Sequence, residues 1–316
     1  MRVEENWINN YRQERAFNMR FKLYIAEIFR RTLTRISPKL NTKVTYYFKF
    51  KKKLVLNNPK TLNDKILWLK FNTYWNNSLV KQCADKYKVR DYIKDKNCSE
   101  ILNELIGVYD RVEDIQWNSL PKSFALKLNV GCGKNIIVSN KENLNVAETK
   151  EILKKWLKEK DHYLGYSEMQ YKGVKPYVLI EKYLGSEDGE LPTDYKFYCL
   201  NGKAKYVMVC VDRVKGKHAK FFYFDENWMM MPFTEDALRD PNRIIPKPAG
   251  IDEAFKYAGI LSSEFPFVRA DFYIIHGKVY FGELTFTPSA GMDNGRLPAT
   301  DLLLGEMLLL PKEETD

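Results

Sequence analysis

One stretch constrains this chain more than any other: FPFVRADFYIIHGKVYFGELTFTPSAG, residues 265–291. Two apolar runs, Val268–Ile275 and Val279–Phe286, flank His276-Gly277 and read as the strands of one hairpin. Four polar residues interrupt them: Arg269, Asp271, Glu283 and Thr285. Loop length decides which faces they occupy. A two-residue turn pairs 275 with 278 and sends Asp271 and Glu283 to opposite faces. A three-residue loop, His276-Gly277-Lys278, pairs 275 with 279. It then sets Asp271 across from Glu283 and Arg269 across from Thr285. Both registers are open at this point. Carboxylates directly opposite each other repel unless a cation lies between them. Two hard oxygen ligands beside phosphate oxygens are what Mg²⁺ takes. The plain alternative is a surface hairpin with solvated acids. The surrounding Phe, Val and Leu weigh against it, because nearly all of this hairpin is core material.

Two further segments carry candidate chemistry. In FALKLNVGCGKN (124–135), Lys127 ends a strand and is followed by the glycine turn Gly131-Cys132-Gly133-Lys134-Asn135. Glycines let backbone N–H groups approach phosphate oxygens, and the lysine adds charge. The turn is neither GxxxxGK[ST] nor GxGxxG, since position 136 is Ile. By itself it reads better as a β-turn with an exposed lysine. In VLIEKYLGSEDGELPTDYKFYCLNGKA (178–204), an apolar strand ends in Glu181-Lys182-Tyr183-Leu184. An acidic loop and a strand bearing Lys196 follow. Strand-end acids before a loop suit adenine and ribose recognition, and a solvated sheet edge is the other reading. Asn201-Gly202 between two strand patterns is a hairpin signal.

Charge divides the chain. The whole carries 51 Lys+Arg against 41 Asp+Glu. Residues 1–60 hold 15 of the basic and 4 of the acidic residues, leaving 36 and 37 in the remainder. A nearly neutral body argues against a nucleic-acid enzyme with a basic channel. The basic part includes ERAFNMRFKLYIAEIFRRTLTRI (14–36), an amphipathic helix pattern stopped by Ser37-Pro38. It reads either as a peripheral membrane anchor or as a packed helix with a solvated basic face. YYFKFKKKLVL (46–56) reads as a short strand or as an extension of this arm. The five Cys (83, 98, 132, 199, 210) form no CxxC pair and the three His no metal spacing, so a reduced cytoplasm is expected. The first residues lack the apolar core of a secretory signal. No apolar run reaches the ~20 residues of a membrane span. Further helices are expected within 60–96, with Thr61 as N-cap, and over Val146–Glu159.

Taken in order, the three segments resemble the ATP-grasp superfamily. Its members carry a lysine before a glycine loop, a strand-end EKYL-type hinge and closing strands of the form R-x-D…E-x-N. The chain is also similar to the TupA-like branch, linked to teichuronopeptide and other bacterial surface-polysaccharide synthesis. TLNDKILWLK, CADKYKVRDYI, LPTDYKFYCLNGK, FPFVRADFY and FGELTFTPSAG carry that likeness, over roughly residues 60–310. The resemblance implies an α+β ATP-grasp fold, two lobes clasping a nucleotide after a helical N-terminal region. Its parts would be a basic arm (1–59), a helical part (60–122), a glycine-loop lobe (123–180) and a C-terminal lobe with hinge and metal-binding hairpin (181–316).

It also implies roles. Lys86 and Lys127 would hold ATP phosphates, with Gly131, Cys132, Gly133, Lys134 and Asn135 as the loop over them. Glu181, Lys182, Tyr183 and Leu184 would form the adenine hinge, and Lys196 a further phosphate or substrate contact. Asp271 and Glu283 would hold Mg²⁺, with Thr285 where the family has Asn, and Arg269 would steady the transferred phosphoryl group. Arg213 is placed against an acidic substrate by position alone, a solvated loop arginine being the other reading. The expected activity is ATP-dependent ligation of a sugar carboxylate to an amine or amino acid through an acyl phosphate, at or near the cytoplasmic face of the inner membrane. A glycosyltransferase is the rival enzyme, although Asp110, Asp114 and Asp188 give no DxD pair. A non-catalytic membrane-associated scaffold is the third reading.

Overall fold

A computed structural model describes residues 21–186, 192–212 and 219–311. The chain divides into two compact units: Met1–Leu54 with Tyr163–Glu168, and Val55–His162 with Met169–Asp316.

In the first unit, α1 (21–36) and α2 (Pro38–Phe50) are joined at Ser37. The serine ends one helix and caps the next. Its backbone is extended and its hydroxyl accepts the Leu40 N–H at 3.2 Å, while Pro38, whose missing N–H is no loss there, starts the new helix. Residues 46–50 are therefore the end of α2 and not a strand. Tyr46 and Phe50, one turn apart, bring their rings to 4.7 Å, and Lys51 closes the helix in the left-handed region with φ 55°.

The second unit contains two antiparallel sheets. Strands β1 (Leu105–Tyr109), β2 (Phe124–Leu128), β3 (Asn135–Val138) and β4 (Val178–Lys182) form the first, in the order β1-β4-β2-β3. Leu126, Val138, Val178 and Ile180 of this sheet share a core with Leu153 of α6 (Val146–Lys158), a helix capped by Asn145. The second sheet runs β10-β9-β5-β6-β7-β8. Its strands are β5 (Asp194–Leu200), β6 (Lys203–Val211), β7 (Lys220–Phe224), β8 (Met230–Met231), β9 (Phe267–Ile275) and β10 (Lys278–Thr285). Its core takes in α3 (Leu62–Asn72), α4 (Ser78–Ala84), α5 (Val89–Asp95), α7 (Glu235–Arg239), α8 (Ile251–Ser262) and α9 (Pro298–Met307). Thr61 caps α3 by accepting the Asp64 N–H, as expected. Val89, Tyr92 and Ile93 form the buried face of α5. A buried cation, Arg296, is held by Asp293 at 2.7 Å and Asp301 at 2.9 Å.

The β9–β10 hairpin answers the register question with a combination of the two readings. The turn has two residues: Ile275 pairs with Lys278, and His276 (φ 50°) and Gly277 (φ 80°) both adopt positive φ, as such turns require. The register then slips between Phe281 and Glu283, so that Gly282 is bulged out. Beyond the bulge Glu283 faces Asp271 and Thr285 faces Arg269. One extra residue in a period-2 strand moves every later side chain to the other face. Glycine suits the bulge because a Cβ there would lie 2.9 Å from the Asp271 carbonyl oxygen.

Candidate active site

The bulge creates a row of charge across three strands. Lys196 on β5 is in register with Asp271 on β9, which is in register with Glu283 on β10. Beside this row, Tyr198, Arg269 and Thr285 form a second one, and Asp194 and Tyr273 pair on the other side. The alternation of strands puts all these polar side chains on one face.

Their contacts are dense. The Arg269 guanidinium grips Asp271 with Nε to Oδ1 at 2.7 Å and Nη2 to Oδ2 at 2.6 Å. Arg269 also donates to the Thr285 hydroxyl at 3.3 Å, and that hydroxyl donates to Glu283 Oε1 at 3.0 Å. Lys196 Nζ lies 3.0 Å from Asp271 Oδ2 and also bonds Asp194. Lys86, between α4 and α5, reaches Glu283 Oε2 at 3.2 Å and the Gly131 carbonyl at 2.7 Å. The two carboxylates respond differently to this setting. Burial pushes Asp271 up, against Arg269 and Lys196, which pull it down. Burial also raises Glu283, but Lys86, Arg269 and Lys196 outweigh it and hold that carboxyl down at about 2. Lys196 is raised: burial and Arg269 oppose its charge, and Asp271 and Asp194 together outweigh them.

The first sheet supplies the opposite wall. Lys127 on β2 bonds Glu181 on β4 at 2.7 Å, and Arg90 stands 3.8 Å from the same carboxylate. The glycine turn has Gly131 at φ 75° and Gly133 at φ 73°, conformations that favour glycine, and is closed by a Leu128 N–H to Lys134 carbonyl bond. The Lys134 ammonium is tied to Glu159 and to His162 Nδ1. Residues 131–135, Lys86, Lys127, Lys196, Asp271 and Glu283 line one cavity of about 190 Å³ together with Asp194, Tyr273 and Gly282. A second pocket of about 70 Å³ shares Lys127, Asn135 and Tyr273 with it. Ala125, Ile137, Tyr183, Leu184 and Pro192 give it apolar walls, and Asn103, Lys182 and Gly185 complete the lining. A polar, cationic chamber thus opens beside a smaller, more apolar one, a division that suits the phosphates and base of a nucleotide.

The structure brings together the residues singled out from the sequence with two exceptions. Arg213 lies outside the described residues. Glu181 turns its carboxylate to Lys127 and Arg90, while the neighbouring Lys182–Leu184 line the smaller pocket. Sequence reading missed Asp194, two positions before Lys196 on the same face, for which the period-2 pattern was the available signal. It also missed the support under Lys86. Buried Asp85 accepts the Tyr87 N–H at 2.8 Å and the Asn129 amide at 2.9 Å, and the Lys86 N–H bonds the Asn129 carbonyl.

Among the described residues, no three or more His, Cys, Asp and Glu gather as a metal site. The chain offers two carboxylates and one hydroxyl. That suits Mg²⁺, which needs only one or two carboxylates when phosphates and waters fill its remaining positions. The upward push of burial on Asp271 is also what a bound cation relieves.

A family model described as TupA-like ATPgrasp matches residues 64–309. No curated protein matches. Solved structures similar to this chain include a D-alanine–D-alanine ligase from Bacillus anthracis complexed with ATP, at 15% identity and TM-score 0.44, covering 72% of this chain and 65% of that one. A D-alanine–D-alanine ligase from Helicobacter pylori is 17% identical, with TM-score 0.40 and coverage of 72% and 61%. An ADP complex of N5-carboxyaminoimidazole ribonucleotide synthetase is 13% identical, with TM-score 0.42 and coverage of 70% and 49%. Each of these matches spans less than two thirds of the solved chain.

Proposed function

We propose, for a chain that belongs to the TupA-like ATPgrasp family, the activity of an ATP-dependent carboxylate–amine ligase. The observation that carries this reading is the aligned row Lys196–Asp271–Glu283, facing Lys86, Lys127 and the glycine turn across one cavity. A carboxylate oxygen of the substrate attacks the γ-phosphorus of ATP and ADP leaves, giving an acyl phosphate. An amine then attacks the acyl carbon, the bond to phosphate breaks, and amide, phosphate and a proton are released.

The chain's own share is positioning and neutralisation of charge. Lys182, Tyr183 and Leu184 hold the base in the smaller pocket. Lys86, Lys127, Lys196 and the glycine-turn amides hold the phosphates. Arg269, locked by both Asp271 oxygens, is a fixed cation that would steady the transferred phosphoryl group. Asp271, Glu283 and the Thr285 hydroxyl would hold Mg²⁺, which when bound adds positive charge shared with the phosphate oxygens.

The acceptor class follows the branch's link to surface glycans: a uronic acid or other sugar carboxylate on a polysaccharide precursor, joined to an amino acid or amino alcohol. A lipid-linked precursor would put the work at the cytoplasmic face of the inner membrane. The test is ADP release from Mg·ATP with a panel of uronic acids and amines. Asp271→Ala and Glu283→Ala are each expected to lower turnover on the order of 10²–10³-fold while circular dichroism stays unchanged. Full activity in both variants overturns the reading, and stabilisation by UDP-sugars in place of ATP turns it towards a glycosyltransferase.

A further inference from the structure

The first unit buries polar side chains and leaves many apolar ones exposed. The buried side of α2 carries Asn41 and Thr42 beside Tyr46, and the Asn41 amide donates to Thr34 at 2.8 Å and to Ser167 at 3.0 Å. Thr34 in turn donates to the Leu164 carbonyl at 2.7 Å. The outward side of the same helix is apolar. Leu40, Val44, Tyr47 and Phe48 fall at i, i+4, i+7 and i+8, one face of a 3.6-residue helix. Tyr47 is 51% exposed and Phe48 64%. Ile36, just before the helix, is 72% exposed, and α1 adds exposed Leu23, Tyr24, Ile28 and Phe29. A folded unit that buries amides and hydroxyls while leaving this many rings and aliphatic side chains exposed is matched to a non-aqueous neighbour.

The charge around this face identifies the neighbour. Residues 21–54 contain ten Lys and Arg and one acid, Glu27, which pairs with Arg30 and Arg31. Exposed lysines interleave with the rings, Lys51 lying 5.6 Å from the Phe48 ring centre. Lys43 and Lys53 stand with Val44, Tyr47, Phe48 and Leu54 around a hollow of about 390 Å³. Aromatic and aliphatic side chains within a cationic rim suit an interface of acyl chains beneath anionic headgroups. Among the described residues, no helix is long and apolar enough to cross a membrane, so the contact is with the surface.

We propose that α2 and residues 51–54, flanked by α1, form a docking surface for an anionic lipid bilayer. Tyr47 and Phe48 enter the interfacial layer, and Lys43, Lys49 and Lys51–Lys53 lie against lipid phosphates. The proposal deepens the membrane side of the proposed function, but it stands on a different part of the chain.

The test is flotation of the full-length protein with vesicles of phosphatidylcholine alone or containing phosphatidylglycerol. Binding is expected only to the anionic vesicles, and it should weaken as salt rises. Replacing Lys51, Lys52 and Lys53 by Gln should lower partitioning roughly fivefold per lysine, and the pair Tyr47→Ser, Phe48→Ser at least tenfold. ATP-dependent thermal stabilisation, measured on the same proteins, should be unchanged, so the failure of one proposal is separable from failure of the other. Equal binding to both vesicle types, no binding to either, or indifference to both sets of substitutions overturns the proposal. So does loss of a self-associated species in the aromatic variant without loss of vesicle binding, which would assign the face to a second copy of the chain.

Discussion

At the scale of single residues, Asp271 and Glu283 face each other yet sit in opposite electrostatic states. Asp271 is the more deeply buried, and its carboxyl is pushed up despite two cations. Glu283 is partly exposed, is reached by Lys86 at 3.2 Å, and is held down at about 2. A carboxyl whose folded value lies below its unfolded value of 4.5 adds stability that is present above that value and lost as pH falls towards about 2. The stability gap between the wild type and Glu283→Gln should therefore be largest near neutral pH and shrink as the pH approaches 3. Urea unfolding at a series of pH values measures it, and a gap constant with pH contradicts the assignment.

Some of these residues were legible in the sequence and some were not. Asp271, Glu283 and Arg269 announce themselves because charge is costly in an apolar strand unless it is paired. Asp85 and Asn129 do not, because their role is to hold Lys86 and the glycine turn across a separation that no local pattern encodes. Lys134 is expected only as part of the loop over the phosphates. It lines the cavity, yet its ammonium is engaged by Glu159 and His162, 25 and 28 positions away.

At the scale of elements, the hairpin shows what periodicity can and cannot decide. The strands, the turn at His276-Gly277 and the two possible registers all follow from alternation. The bulge does not, because a glycine inside a strand pattern looks the same whether it is paired or extruded. Gly282 is therefore the position on which the site's assembly turns. Gly282→Ala places a methyl group 2.9 Å from the backbone oxygen of Asp271. The strain should cost about 1–3 kcal/mol and, by moving Glu283 relative to Asp271, lower turnover more than tenfold. Chemical unfolding and ADP release read the two effects, and wild-type values in both would show that the register does not depend on this glycine. The stretch before Ser37 was legible as an amphipathic helix, whereas residues 46–50 of α2 read as either a strand or an extension of the arm. YYFKF carries strand-forming aromatics, and the capped start at Ser37-Pro38 decides the outcome ten residues upstream.

At the scale of the molecule, the formal charge separates along the same line as the two compact units. The basic excess belongs to the unit whose apolar side chains face outward, and the nearly neutral unit holds the cavity, where lysines and arginines are matched by acids. Net charge therefore carries no information about the candidate site, and the separate charged rows carry it instead. The central claim is that this cavity binds ATP with a divalent cation shared between the phosphates and Asp271 and Glu283. Isothermal titration calorimetry of the full-length protein with ATP, with and without Mg²⁺, tests it most directly. Saturable one-to-one binding that strengthens with Mg²⁺ is expected in the wild type, with that gain lost in Glu283→Gln. Absence of ATP binding, or binding indifferent to both Mg²⁺ and the substitution, would contradict it.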